Sequence, residues 1–210
     1  STNTMNGLGN GYLQNDGTLE FNNLGAVDFN NAFGGTGDFI VGDSQITVNQ
    51  TPNDFSGMVD LDQESSQWII GGDLTGDYTL DYGVQGNGSL VVDLGNKESE
   101  FTLGDKINPD EFTGTLDLNS GEMALNEDHY DKLSGADVVV REDGKLHVDE
   151  DGYLNELDLD GGTIHIHVNE NESDRHNLLH VGELGAESGS HIILDDLDLL
   201  GKGDAIDNID

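Results

Sequence analysis

Cysteine is absent from this chain, proline occurs twice, and lysine and arginine together supply only 7 of 210 residues. Without cysteine no disulfide can hold the fold, and the redox compartment is left open. Such a chain suits passage through an oxidising periplasm in an unfolded state, and it suits other settings as well. Two prolines against 30 glycines exclude a proline-rich linker. The few basic residues face 43 acidic ones, for a net charge of -36. A surface of that sign repels nucleic acid, heparin-like chains and anionic membranes, and it favours solubility and divalent cations. Most of these carboxylates are expected simply to solvate outer faces and turns, and a halophilic origin would produce the same bias. No signal peptide, lipidation motif or apolar run long enough to span a bilayer is present. No part of the chain is therefore expected to insert into a membrane, and an exported protein of this sequence is expected to be a mature fragment without its targeting and anchoring parts.

What the chain does have is repetition. Asn53-Asp54-Phe55-Ser56-Gly57-Met58-Val59-Asp60-Leu61 returns as Asp110-Glu111-Phe112-Thr113-Gly114-Thr115-Leu116-Asp117-Leu118. Around the two copies runs a looser beat of glycine followed by alternating apolar residues, as in Gly17-Thr18-Leu19-Glu20-Phe21, Gly37-Asp38-Phe39-Ile40-Val41, Gly144-Lys145-Leu146-His147-Val148 and Gly162-Thr163-Ile164-His165-Ile166. Spacings between such glycines are 20 (17 to 37), 18 (144 to 162) and 27 (162 to 189), and the two phenylalanine phrases lie 57 apart, enough for two or three such units. Imperfect repetition at this scale, each unit with short strands and a turn, marks a solenoid whose coils bury a core only by stacking. Hydrophobic content of 34% is low for a globular domain, but the apolar residues keep a period of two, which argues for order. The expected fold is all-β, a right-handed parallel β-helix forming one unit over residues 1–210. Within it, 1–36 are read as ragged first coils and 37–200 as regular coils.

Alternation assigns faces. Ile164, Ile166 and Val168 are expected inside with His165 and His167 outside; Leu157 and Leu159 inside with Asp158 and Asp160 outside. The phenylalanine of the repeated phrase is expected to stack on apolar residues of the next coil, and the glycine two positions later to make a corner that a Cβ would crowd. Two stretches break the beat: Asn126 to Leu133 suits one helical turn or a capping excursion, and 169–177 reads as an exposed loop.

Several stretches resemble the passenger domains of bacterial autotransporters of the adhesin and self-associating type. They are Phe101-Thr102-Leu103-Gly104, Asp54-Phe55-Ser56-Gly57, Glu111 to Leu118, Gly161-Gly162-Thr163-Ile164, and Leu133 to Val140 leading into Gly144 to Val148. The resemblance covers roughly residues 33 to 200. It implies a β-helix displayed outside a Gram-negative cell. This chain departs from the family's pattern in its acidity and in lacking the membrane barrel that completes the family's plan, as an excised piece would.

Protease passengers carry serine in a Gly-Asp-Ser-Gly-Ser context; here Gly42-Asp43-Ser44 runs into Gln45-Ile46, so the glycine that shapes the oxyanion turn is missing. Polysaccharide-cleaving β-helices use clustered carboxylates with basic residues for an acidic sugar, and Arg141, Arg175 and five lysines support that thinly. Asp60-Leu61-Asp62, Asp158-Leu159-Asp160 and Asp196-Leu197-Asp198 each place two carboxylates on one strand face, about 7 Å apart. Stacked coils would gather such pairs into oxygen sites for Ca²⁺, although the glycine-rich nonapeptide of calcium-bound β-rolls is absent, and weak condensation of Ca²⁺ is the reading. His165 and His167 form a half-site for zinc, with His176, His180 and His191 following. The expectation is a non-catalytic surface protein without bound cofactor. It would act in adhesion, aggregation and biofilm formation by side-by-side contacts of its outward acidic faces, with itself or with a host or bacterial surface ligand. The alternatives are a polysaccharide-processing enzyme and a structural stalk carrying a binding tip encoded elsewhere.

Overall fold

A computed structural model of the chain describes residues 3–4, 11–167 and 179–195. Asp196, Asp198, His176, Val168 and the expected loop at 169–177 lie outside the described residues. The strands are β1 (Asn3–Thr4), β2 (Leu13–Gln14), β3 (Thr18–Phe29), β4 (Phe33–Gly34), β5 (Asp38–Val48), β6 (Met58–Leu61), β7 (Gln67–Gly71), β8 (Tyr78–Leu80) and β9 (Gly83–Gly86). They continue as β10 (Ser89–Asp93), β11 (Phe101–Leu103), β12 (Thr115–Leu125), β13 (Asp137–Val148), β14 (Gly152–Asp160), β15 (Thr163–His167), β16 (Leu179–Ala186) and β17 (His191–Asp195). A single helix among the described residues, α1 (Glu127–Leu133), interrupts them. Each strand pairs in parallel with its counterpart one coil away, giving a β-solenoid of about 7 turns.

The solenoid has three walls. The first runs through the opening halves of β3 and β5 into β6 and β9. The second runs through the closing halves of β3 and β5, then β7, β10, the first residues of β12 and β13, β14 and β16. The third stacks the later residues of β12 and β13 under β15 and β17. Long strands such as β3 and β12 turn from one wall to the next at register shifts, between Asn22 and Gly25 and between Leu118 and Ser120, where Asn23, Gly25 and Gly121 adopt positive φ.

The core follows from alternation repeated in register. Val27, Ile46, Trp68, Leu90, Leu116, Val138 and Leu157 form one continuous inward row, each paired with the next, and all are buried. The steps along this row are unequal, shorter from Val27 to Ile46 than from Leu90 to Leu116, so the walls keep register while the corners absorb the difference in coil length. The first coils are aromatic: Phe33 meets Phe29, Phe39 and Phe55 at ring separations of 5.6, 5.2 and 5.2 Å. Trp68 donates from its indole to the Tyr82 hydroxyl at 2.9 Å, which satisfies both polar groups in the core, and burial pushes Tyr82 up to about 12. Regular pairing thus reaches back to Thr18, inside the segment expected to be ragged. Among the described asparagines there, Asn22 and Asn23 are exposed, while Asn15 and Asn31 are buried and donate to the backbone carbonyls of Asp38 and Gly11; Phe21, Val27 and Phe29 fill the interior. Leu157, Leu159 and Ile164 are inside as expected, and Ile166 packs against the core half-buried. At the far end, Leu184, Ile192 and Leu194 occupy inward register positions yet are 53%, 54% and 53% exposed, because no described coil lies beyond them.

The helical turn expected near Asn126 is α1. Asn126 caps it by accepting from the His129 N–H, Glu127 and Asp128 sit in its first turn, and Lys132 in its last, matching the helix dipole. Its Tyr130 ring lies where a Cβ on Gly152 would be.

The repeated phrase has a structural meaning that its spacing conceals. Phe55 and Phe112 are both buried and both followed by a glycine corner, but Gly57 opens into β6 on the first wall, whereas Gly114 opens into β12 on the second. One local device (phenylalanine inward, glycine corner, strand) is used at two different corners. A Cβ at Gly57 would strike the carbonyl oxygen of Gly37, and one at Gly114 that of Gly88. The Gly88 oxygen accepts the Thr115 N–H at 3.1 Å and cannot retreat without breaking that bond. Gly114→Ala is therefore expected to lower stability by about 2 kcal/mol or more. Gly76→Ala, with open space around it, is expected to change stability by no more than about 0.5 kcal/mol. Thermal unfolding followed by circular dichroism compares the two.

Candidate functional site

Outward residues alternate with the core rows, and stacking lines them up along the rod. Between β10 and β15 this gathers carboxylates from several coils around Arg141 and Lys145. Arg141, at the wall-two end of β13, donates from Nε to Asp117 Oδ1 at 2.8 Å and from Nη2 to Asp117 Oδ2 at 2.9 Å, and its Nη1 bonds Asp160 on the next coil. The clamp raises the guanidinium's proton affinity, through Asp117 first. Lys145, on the third wall, bonds Glu122 at 2.6 Å and Glu98 at 3.1 Å. This pairing holds Glu122 below the usual carboxylate range and Lys145 above its own. Beside Arg141 opens a polar cleft of about 380 Å³ lined by Asp93, Asn119, Ser120, Glu142, Asp143 and Asp160. Asn119 donates to Asp93 at 2.9 Å within it.

Among the described residues, one acidic row has no cation between its members. Asp137, Glu156 and Glu183 are in register on β13, β14 and β16, and Asn155 donates to Asp137 at 3.2 Å. The charge of Asp137, then burial, then Asp158 and Glu183 push the Glu156 carboxyl up. On the third wall the histidines form a ladder. His147 and His165 pair in register and stack with centroids 4.9 Å apart and planes 20° apart; His147 and His167 lie 5.9 Å apart at 15°. His147 Nε2 is 3.5 Å from Glu122, and His167 Nε2 is 3.5 Å from Asp149. Burial opposes the charged form of His147 and pushes its proton affinity down.

The structure does not gather the two aspartate pairs that lie among the described residues. Asp60 is half-buried on β6 in register with Ile40 and Gln85, and accepts from Gln85 at 3.0 Å. Asp62 is exposed just past that strand. Asp158 lies in register between Val139 and Gly185, and Asp160 accepts from Arg141. Coil register chooses a residue's neighbours along the rod, and here it interleaves uncharged residues or a cation. Among the described residues no group of three or more histidines and carboxylates is placed to hold a metal ion. His165 and His167 share the outer face of β15 as expected; His180 instead pairs with Tyr153 on another wall, and His191 is in register with Thr163. The partner missed from sequence is His147. Its signal was a spacing of 18 to His165, the same as that from Gly144 to Gly162. Ser44 is buried, its hydroxyl donating to the Gly42 carbonyl at 2.9 Å and accepting the Leu24 N–H at 3.0 Å, so it braces a corner.

No family model, no curated protein and no solved structure matches this chain. No helix among the described residues is long and apolar enough to cross a membrane.

Arg141→Gln strands Asp117, whose side chain is only 13% exposed. Allowing for the half-open arginine, the loss is expected to be about 1–2 kcal/mol. Lys97→Gln, at a 4.0 Å pair exposed on both sides, is expected to cost no more than about 0.5 kcal/mol. Urea melts measure both. For His147, the unfolded chain binds a proton more readily than the folded one, so stability falls as pH drops through about 6.5, the ordinary histidine value. His147→Gln is expected to flatten that part of the stability–pH curve, read from denaturant midpoints between pH 7.5 and 5.5.

Proposed function

We propose that this chain is a non-catalytic, surface-displayed β-solenoid of the autotransporter passenger type, exported from a Gram-negative bacterium and working by lateral contact in adhesion, aggregation and biofilm formation. The observation that carries this reading is the outer row of wall two, where Gln45, Gln67, Ser89, Thr115, Asp137, Glu156 and Glu183 follow one another in register across seven coils. A straight row of polar side chains at the strand repeat of about 4.8 Å offers many modest hydrogen bonds to any surface laid along it. Many copies on a cell multiply the contacts into avidity. The sequence resemblance to adhesin passengers points the same way. The cleft beside Arg141 favours a second reading, a polysaccharide-processing enzyme, since it combines carboxylates with a guanidinium. Release of reducing ends from acidic or neutral polysaccharides would establish that alternative.

The charge of -36 shapes the test. Two such rods repel at long range, and salt shortens that repulsion to about 8 Å at physiological ionic strength. The protein is expected to be monomeric at pH 7.5 in low-salt buffer with chelator. Its average mass in sedimentation velocity is expected to rise with salt, with millimolar Ca²⁺ or on acidification toward pH 5, and beads coated with it are expected to clump under the same conditions. A protein that stays monomeric and leaves beads dispersed throughout is a stalk or a binder of some other surface.

A further inference from the structure

We propose that two copies of this chain meet through the uncharged half of wall two, face to face and antiparallel. The inference rests on the self-association reading and names its surface.

Wall two changes character along the rod. One outward row begins Ala26, Gln45, Gln67, Ser89, Thr115 and carries its first charge only at Asp137. The row beside it follows Asp28 with Thr47, Ile69 and Val91, then Asp117, then Val139. Asp117 is the carboxylate that Arg141 clamps from two nitrogens, so its charge is already answered. Among the described residues the other walls lack such a stretch. Wall one carries Glu20, Asp38 and Asp60 outward on three successive coils, and wall three carries Glu122 and Lys145 on two.

In a chain of net charge -36, a face without net charge is where a second, equally acidic rod can lie closest. Its chemistry also fits itself. Glutamine amides and serine and threonine hydroxyls both donate and accept, so one row of them bonds another copy of the same row, whereas ionised carboxylates only accept. Beside that row Thr47 and Ile69 are partly exposed and Val91 is 8% exposed, a shallow apolar stripe. The two rows present no aromatic ring on which a sugar could stack and no net charge to hold an ionic ligand.

Charge further along the rod sets the orientation. Parallel copies would set Asp137, Glu156 and Glu183 of one against the same residues of the other. Antiparallel copies related by a two-fold axis at the Gln67 rung place Gln67 against Gln67, Ile69 against Ile69, Gln45 against Ser89 and Thr47 against Val91. Thr115 then meets Ala26, and the acidic row beyond it projects past that end of the partner's face. Asp28 comes opposite Asp117, where Arg141 supplies positive charge. A contact of this symmetry closes at a dimer. Asp43 and Glu64, exposed at the corners that lead into this wall, still repel at the rim and make the dimer salt-dependent. The face spans four rung spacings, about 20 Å, and covers much less than the roughly 800 Å² per partner of a stable complex. A single pair is therefore weak, and a firm hold needs many copies.

The test is sedimentation equilibrium of the 210-residue chain at pH 7.5, in physiological salt and in about 1 M salt, where screening shortens to about 3 Å. Protein runs from about 10 μM to about 1 mM, the range of weak affinities, and circular dichroism confirms the fold of each variant. Wild type is expected to approach a dimer and stop there, more readily at the higher salt. In physiological salt Gln67→Glu and Gln67→Lys are each expected to dimerise about tenfold more weakly or worse, because residue 67 then meets its own charge. The lysine variant discriminates further, since lowering the net negative charge would strengthen association driven only by loss of repulsion. An equimolar mixture of the two is expected to dimerise at least as well as wild type, a rescue that requires residue 67 to face itself. Glu156→Gln/Glu183→Gln is expected to dimerise no more weakly than wild type. Single variants that pair like wild type, a mixture no better than either alone, a weakened Glu156/Glu183 variant, or growth beyond a dimer would each overturn this contact and leave self-association standing. A chain monomeric in every condition overturns both.

Discussion

A coil of this protein has no interior of its own. Its inward side chains are buried only by the coils above and below, so the in-register parallel ladder is the interaction on which everything else depends. The row from Val27 through Trp68 to Leu157 shows how this works: each member covers the next, and where no described coil follows, Leu184 in the same row is half exposed. The glycine corners serve the same ladder. Carbonyl oxygens of Gly37 and Gly88 approach Gly57 and Gly114 so closely that no side chain fits, and that closeness lets one rung settle on another.

Stacking that buries the core also lines up whatever faces out. For a chain of -36 this places like charges about 4.8 Å apart unless something intervenes. Two arrangements prevent it. Uncharged residues are interleaved, as with Ile40 and Gln85 around Asp60, or a scarce cation bridges two coils, as Arg141 does between Asp117 and Asp160 and Lys145 between Glu98 and Glu122. Four of the five lysines and arginines among the described residues form ion pairs. Among the described residues the Asp137–Glu156–Glu183 row has neither remedy, and it stands out for that reason.

Fold and facing were legible because they are local. Alternation alone placed Leu157, Leu159 and Ile164 inside and Asp158 and His165 outside, and the glycine beat marked corners where a Cβ would collide. Site composition was not legible in the same way. Asp60 and Asp62 share no neighbourhood with Asp158 and Asp160, and His165 meets His147 rather than His180. The two Phe-x-Gly phrases are alike in sequence yet serve different corners, since a spacing of 57 is not a whole number of coils whose lengths vary.

The sequence by itself determined that this chain makes short alternating strands with glycine corners, that it stacks as a solenoid, and which side of each strand meets water. Those properties need only a period of two and the steric demands of a turn. The tertiary structure alone decided which outward residues become neighbours along the rod. The chain length between partners varies, short from His147 to His165 and much longer from Thr163 to His191, depending on how much chain each corner takes up. A shift of one residue at a corner would exchange the faces of a strand, and a shift of two would pair a carboxylate with a different rung. The clamp on Arg141, the Asp137–Glu156–Glu183 row and the histidine ladder are products of that register.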